Sequence, residues 1–446
     1  SETDEKGAYG PYTQSKRKDI YQAYVKSLVE QGLAYPCFMT EEELATIREK
    51  QENEKLLPGV YGEFAKYRDI TVEEAQKRIE NGDEYVVRLK SPGKEDKRIK
   101  FKDVIKGEIE MPENILDVVL LKKDGTPTYH FAHVVDDHLM RTTHVIRGDE
   151  WISSVPIHLQ LFWLCGLKPP KYAHISPIMK EENGGKRKLS KRKDPEAAVS
   201  YYSEVGYPKG AIWEYLMTLA NSNYEDWRLA NPNEDIDNFK FSFSKMSKAG
   251  ALFDMVKLAD VSKNYICRLS AEEVYEMVTD WAKENNKKLY KLLVDDEEYA
   301  KAIFAIERGN AKPRKDISAW TDVENYVSYF YSELWDRKFD FPDNLSNDDM
   351  IEILELYKQI YDENVSSDDW FPQVRDMAET IGYAKAPKVY KKDPDSYKGH
   401  VGDVAGVIRV AATGRRNTPD LYEILQVLGK DEVMKRFDEA IESLRG

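Results

Sequence analysis

From Thr13 the chain reads TQSKRKDIYQAYVKSLVEQG, and Ile20, Tyr21, Tyr24, Val25, Leu28 and Val29 recur at helical intervals. That spacing puts them on one face of a helix that Gly32 stops. A second helix is predicted after Thr40, because Glu43 in TEEE completes a capping box. Residues 84 to 135 turn strand-like. EYVVRLK is followed by a charged loop and then by ILDVVLLKK-DG-TPTYHFAHVV, in which Asp124-Gly125 reads as a hairpin turn between two apolar runs. From about residue 155 the periods are mainly helical. Near the end Thr418 is predicted as an N-cap with Pro419 at the first helical position and a stop at Gly429. Val433, Phe437, Ile441 and Leu444 then share one face of a last helix. A mixed α/β first half therefore precedes an all-helical second half, with Asp/Asn-rich turns such as ANPNEDIDN and FPDNLSNDD as joints.

Composition narrows the picture. The 446 residues are enough for two to four domains with an ample core. No run of about 18 apolar residues is present to span a membrane, and a cytoplasmic protein is expected. Cys37, Cys165 and Cys267 are isolated in spacing, which argues against a disulfide framework or a cysteine-based zinc site and for small buried residues. The net charge of −14 disfavours indiscriminate nucleic-acid binding, yet a local basic cluster can still hold phosphates.

One such cluster exists. KRKLSKRK, residues 186 to 193, carries six cations in eight positions behind Gly184-Gly185, a pair that would let the backbone swing. On its own a basic run reads as a solvated loop. A second stretch, FSFSKMSKAGALFDMVKL, contains Lys245-Met246-Ser247-Lys248 but is followed by an apolar run and lacks the glycine pair. The group His130, His133, Asp136, Asp137, His138 and His144 is a possible metal constellation; on a strand, however, His130 and His133 would point to opposite faces.

Five ordered stretches carry a resemblance. GPYTQSKR (10–17), PTYHFAHVVDDH (127–138), HVIRGDEW (144–151), KLSKR (188–192) and GDVAGVIRVAATGRRNTPDLYEILQVLG (402–429) resemble, in order and spacing, the bacterial-type glutamyl-tRNA synthetases of class I. The Lys245–Lys248 stretch resembles a segment these enzymes carry downstream of the catalytic domain. The resemblance implies ATP-dependent attachment of L-glutamate to tRNA-Glu through glutamyl adenylate, with Mg²⁺ accompanying ATP. It implies an incomplete Rossmann-like catalytic domain over 1–27 and 129–180 and an α/β acceptor-binding insertion over 28–128. A stem-contact region over 181–268 would carry the KLSKR loop, and helical anticodon-binding subdomains would occupy 269–345 and 346–446. A cytoplasmic monomer without structural zinc is expected.

By resemblance Lys188 and Lys191 are the catalytic, ATP-contacting lysines, with Ser190 and Trp151 also at ATP. Cations there stabilise charge on the phosphates as a carboxylate attacks the α-phosphorus. Tyr129, His133 and Arg147 are assigned to glutamate, whose carboxylates suit an arginine fork and neutral donors. His133 stands where many relatives carry Asn, and a neutral imidazole could donate one hydrogen bond. Arg409, Thr418, Pro419 and Leu421 are assigned to the anticodon, with Arg308, Lys312 and Arg314 as candidates for its third base. The family's HIGH-like signature, with the Arg and Ser that hold glutamate, would stand upstream of GPYTQSKR and is not found in this sequence. The expectation is accordingly a chain that binds tRNA better than it activates glutamate, the alternative being a catalytically inert tRNA-binding remnant.

Overall fold

The first helical stretch folds as α1 (Lys18–Glu30) in the computed structural model, which describes residues 5–446. Tyr21, Val25 and Leu28 turn inward, whereas Val29, expected on the same face, is exposed. β1 (Ala34–Cys37) follows, and then α2 (Glu41–Asn53), whose capping box between Thr40 and Glu43 forms in both directions. After α3 (Val72–Glu80) come β2 (Val86–Leu89), β3 (Arg98–Asp103), β4 (Gly107–Pro112) and β5 (Val119–Leu121).

The Asp124-Gly125 turn is present, with Lys122 N donating to Thr126 O at 2.8 Å, but the strand expected after it is not. A single antiparallel bridge joins Leu121 to Pro127, and the chain then enters α4 (Tyr129–Leu139). Helical spacing explains the correction. Phe131, Val134 and Val135, three and four apart, are all fully buried on one face; a strand would have sent Phe131 and Val134 to opposite sides.

β6 (His144–Gly148), α5 (Val155–Leu164) and β7 (Lys171–Ile175) form a parallel strand–helix–strand unit. β7 also pairs in parallel with β3, giving a four-stranded sheet in the order β4-β3-β7-β6. That sheet draws strands from both sides of the expected border at 128/129. A three-stranded sheet β1-β2-β5 packs with α1, α4 and α5 around Tyr21, Leu89, Leu120, Phe131 and Phe162. Cys37 lies in a smaller apolar cluster with Tyr35, Phe38 and Tyr67, while Cys165 and Cys267 are only half-buried.

Two compact units result. One comprises the residues through Lys188 with Ala220–Asn223 and Lys240–Leu252; the other comprises Leu189–Leu219, Tyr224–Phe239 and Phe253–Gly446. The second is helical around a large apolar core, and Val433, Phe437, Ile441 and Leu444 all face it as their spacing predicts. Its penultimate helix, Leu421–Leu428, is capped by Asp420, which accepts from Glu423 N, and not by Thr418. Among the described residues no helix is long and apolar enough to cross a membrane.

Candidate active site

Three neighbouring strands line up three side chains. In the β3–β7–β6 register Arg147 stands opposite His174, and Asp103 opposite Tyr172 two residues earlier, so Asp103, His174 and Arg147 meet across the sheet. Arg147 Nε donates to His174 Nε2 at 3.1 Å, and His174 Nδ1 lies 2.7 Å from Asp103 Oδ2. Arg147 Nη2 reaches His158 Nδ1 on α5 at 3.2 Å and the Trp151 carbonyl oxygen at 3.4 Å. Its guanidinium also lies over the Tyr172 ring, 5.0 Å from the centroid. Nη1 is buried and has no hydrogen-bond partner among the described residues.

α4 supplies the adjoining wall. Because the segment is helical, His130, His133 and Asp137, three and four apart, share a face distinct from the one centred on Phe131, Val134 and Val135. The Tyr129 ring, half exposed, lies parallel to His133 with centroids 6.0 Å apart and tilted against Trp151 at 4.5 Å. Tyr129, His133, Arg147 and Trp151, singled out in the sequence, therefore converge. His133 departs from expectation in one respect: it is buried, with Nδ1 on the Asp137 carboxylate and Nε2 3.0 Å from Tyr172 OH. Both ring nitrogens are taken, so it supports the Tyr129 ring instead of donating outward. His130 Nδ1 is 2.9 Å from His158 Nε2. The one-face arrangement revives the question of a metal, but among the described residues no three His, Cys, Asp or Glu side chains gather to hold one.

Burial and nearby positive charge disfavour protonation of His130, His158 and His174. Burial, reinforced by neighbouring His133 and the Arg147 cation, pushes the His158 and His130 pKa values down. Burial also lowers His174, against the pull of its bond to Asp103. Asp137 sits below the usual carboxylate value: burial opposes ionisation, but hydrogen bonds from His133 and Thr142 outweigh it. Burial raises Tyr172, leaving it a neutral hydroxyl.

The basic octet is built differently from the swinging loop expected. β8 (Met179–Glu182) and β9 (Gly185–Lys188) form a hairpin, and Asn183 and Gly184, at φ 52° and 77°, are its two-residue turn. Positive φ at both central positions is what such a turn requires, and Gly184 meets it without a steric cost, while Gly185 opens β9. Arg187 bonds Glu182 at 2.8 Å, whereas the Lys188 and Lys191 side chains are exposed. Asp194 accepts from Ser190 N at 2.9 Å and pins the turn after β9. The Lys245–Lys248 stretch braces the hairpin's base: Leu252 bridges Met179 in parallel, and Lys248 O accepts from Ser176 Oγ at 3.0 Å and Lys106 Nζ at 2.7 Å. Gly250, at φ 75°, fits because a Cβ there would lie 2.6 Å from Pro177 O. Lys188 ends one compact unit and Ser190 and Lys191 open the other.

Toward the C-terminus the assigned residues form a clamp. Arg409 Nη1 bonds the Thr418 side chain and the Pro419 carbonyl oxygen, the latter at 2.7 Å. The side chains of Thr418, Pro419 and Leu421 are buried, so Arg409 shapes this turn and none of the other three presents a side chain outward. Arg308 is likewise tied up, donating to the carbonyls of Phe304 (2.6 Å), Ile266 (2.8 Å) and Leu269 (3.1 Å), and Arg314 pairs with Asp316 at 2.7 Å. Of the three third-base candidates only Lys312 is exposed.

Sequence reasoning did not single out Asp103, His158 or His174. Their signal was present: a lone histidine inside the apolar PIHLQLFW and another inside KYAHI, both fully buried, are polar groups at core positions that demand partners.

Comparison with known proteins identifies the enzyme class. The family described as "tRNA synthetases class I (E and Q), catalytic domain" matches residues 2–260, and an "Anticodon binding domain" matches 395–441. The chain belongs to this class I synthetase family, on its glutamate–tRNA ligase side. It is 54% identical to the glutamate–tRNA ligase of Clostridium perfringens (strain SM101 / Type A) over 440 residues, 98% of this chain and 80% of that protein. The Clostridium beijerinckii glutamate–tRNA ligase is 51% identical over 443 residues, with the same shares covered. A crystal structure of the Elizabethkingia meningosepticum glutamate tRNA ligase with its amino acid superposes with a TM-score of 0.72 at 28% identity, covering 98% of this chain and 85% of that one.

Proposed function

We propose that this chain joins L-glutamate to tRNA-Glu at the expense of ATP, with Arg147 as the anchor of the amino acid. The carrying observation is the Arg147 guanidinium itself. Two of its nitrogens are fixed by protein acceptors and the third, Nη1, is buried without one among the described residues. A buried donor without an acceptor costs about 1–3 kcal/mol, which a bound carboxylate oxygen removes. The Trp151 ring lies 5.7 Å from the guanidinium and is assigned to the adenosine, Tyr129 packs against Trp151, and His133 holds Tyr129 in place.

Lys188, Ser190 and Lys191 act on the ATP phosphates. Exposed ammonium groups on a pinned turn stabilise charge as the glutamate carboxylate oxygen bonds to the α-phosphorus and pyrophosphate leaves. Mg²⁺ bound with ATP supplies further neutralisation of the phosphates. The ribose hydroxyl of the tRNA's terminal adenosine then attacks the activated carbonyl and releases AMP. Residues around the Arg409 clamp meet the anticodon through the turn it shapes. We further assign the chain to the cytoplasm as a monomer, which sedimentation of the purified protein checks.

The test is incubation with ATP, Mg²⁺, labelled L-glutamate and tRNA-Glu, with tRNA binding measured in parallel. Glutamate-dependent label on the tRNA, lost in Arg147→Gln while tRNA still binds, is the expected result. Binding of tRNA without any labelled product favours the tRNA-binding reading instead.

A further inference from the structure

We infer that Asp103 and His174 are positioning residues for Arg147: the Asp103 carboxylate fixes the tautomer of His174, and that tautomer orients the guanidinium. The inference rests on the reading of Arg147 as the glutamate anchor and adds the residues that make it one.

An arginine side chain can only donate. Every ring nitrogen it meets must therefore present a lone pair. Arg147 Nε meets His174 Nε2, so the His174 proton sits on Nδ1, facing Asp103 Oδ2. Arg147 Nη2 meets His158 Nδ1, so the His158 proton sits on Nε2, facing His130 Nδ1. His130 must then carry its own proton on Nε2. One guanidinium thus dictates three tautomers, and no protonated ring fits at His158 or His174.

Only one end of this chain is anchored by a group that cannot reverse. Asp103 is 1% exposed and accepts four bonds: from the backbone N of Ile105 (2.9 Å), Lys106 (2.7 Å) and His174 (3.1 Å), and from His174 Nδ1. It has no hydrogen to give, so His174 cannot switch. His174 in turn is fully buried and stacked on Tyr172 at 5.9 Å, and its Nε2 accepts from Arg147 Nε. With Nε and Nη2 held by two lone pairs, the guanidinium plane is set and Nη1 is the donor left without a protein acceptor among the described residues.

The isosteric variant Asp103→Asn separates this role from a scaffold role. Its amide must aim N–H groups either at the backbone donors of 105 and 106 or at His174. In the second case His174 takes the Nε2–H tautomer and meets Arg147 donor to donor. His174→Gln supplies the counter-test, because its carbonyl oxygen is an acceptor that has no tautomers and reaches the place of Nε2.

The experiment uses the full chain with ¹⁵N-labelled histidine rings. Ring nitrogen shifts, assigned with His174→Gln and His158→Gln, report which nitrogen is protonated, and L-glutamate affinity is read by calorimetry. Expected are a protonated Nδ1 at His174 in the wild type and a switch in Asp103→Asn. Glutamate affinity should fall about tenfold or more in that variant while tRNA-Glu affinity holds, and Asp103→Asn/His174→Gln should recover most of it. A wild-type His174 protonated at Nε2, or at both nitrogens, overturns the inference, and this arm needs no variant to fold. So does a loss in Asp103→Asn that the double variant leaves unrescued, since Asp103 would then act by holding the 104–106 turn. If wild-type tautomers are as stated but L-glutamate does not bind, the relay stands and the glutamate reading falls.

Discussion

Replacing Arg147 with lysine keeps the charge and removes the geometry. The guanidinium makes a 3.1 Å bond to His174, a 3.2 Å bond to His158 and a 3.4 Å contact with the Trp151 carbonyl, and it holds Nη1 in reserve. A lysine ammonium is one point with three donors and cannot span His174, His158 and a ligand together. If it stays with the histidines, the ligand loses a charge-assisted hydrogen bond. If it turns to the ligand, His174 Nε2 and His158 Nδ1 are left buried without donors, at about 1–3 kcal/mol each. Either way glutamate binding should weaken by about 2–4 kcal/mol, or about 30- to 700-fold in dissociation constant. Calorimetric titration of L-glutamate into wild type and Arg147→Lys measures it, with tRNA-Glu affinity as the control. A change of less than about threefold would refute the reasoning, because it would mean that neither the fork nor its third nitrogen holds the ligand.

Other consequences follow from the same structure. Lys191→Ala should slow adenylate formation by about 2–4 kcal/mol of transition-state stabilisation while tRNA affinity stays nearly unchanged, as pyrophosphate exchange and a binding titration would show. The unit containing the histidine network should lose stability as pH falls below about 6.5. There the unfolded chain takes up protons that His158, His130 and His174, all with lowered pKa values beside Arg147 and His133, refuse in the folded state. The slope should approach about 1.4 kcal/mol per pH unit for each such histidine, and denaturant melts at pH 7.5, 6.5 and 5.5 would check the sign. Arg308→Met should cost about 2–4 kcal/mol of stability by stranding the carbonyls of Phe304, Ile266 and Leu269, without altering discrimination among tRNAs. Thermal melts paired with charging of tRNA-Glu and tRNA-Gln would separate the two effects.

Periodicity alone carried the helices whose apolar residues recur every three or four positions, such as α1 and the last helix with Val433, Phe437, Ile441 and Leu444. It misled where two cues competed. The Asp124-Gly125 turn and the neighbouring Val134-Val135 pair suggested a second strand, although Phe131, Val134 and Val135 already had helical spacing. At Gly184-Gly185 the glycines suggested a hinge, whereas Asn183-Gly184 forms the tight turn of a paired hairpin. At Thr418-Pro419 a good cap sequence was overridden by Arg409, which takes the threonine side chain for itself.

The side-chain cluster around Arg147 was legible in part. Tyr129, His133, Trp151 and Arg147 were identifiable by motif, and the fold brings them together. What ties Arg147 down was not, because Asp103, His158 and His174 lie on three separate elements that meet through the β3–β7–β6 register and the packing of α5. Long-range pairing of this kind leaves no local pattern. Its only trace in the sequence is the presence of polar residues where apolar ones would be expected.

The most direct measurement is a crystal structure of this chain with L-glutamate. A carboxylate oxygen of the ligand within about 3 Å of Arg147 Nη1, with Nε still on His174, is the predicted result. Glutamate bound elsewhere, or Nη1 turned to an acceptor of the protein with glutamate present, would contradict it.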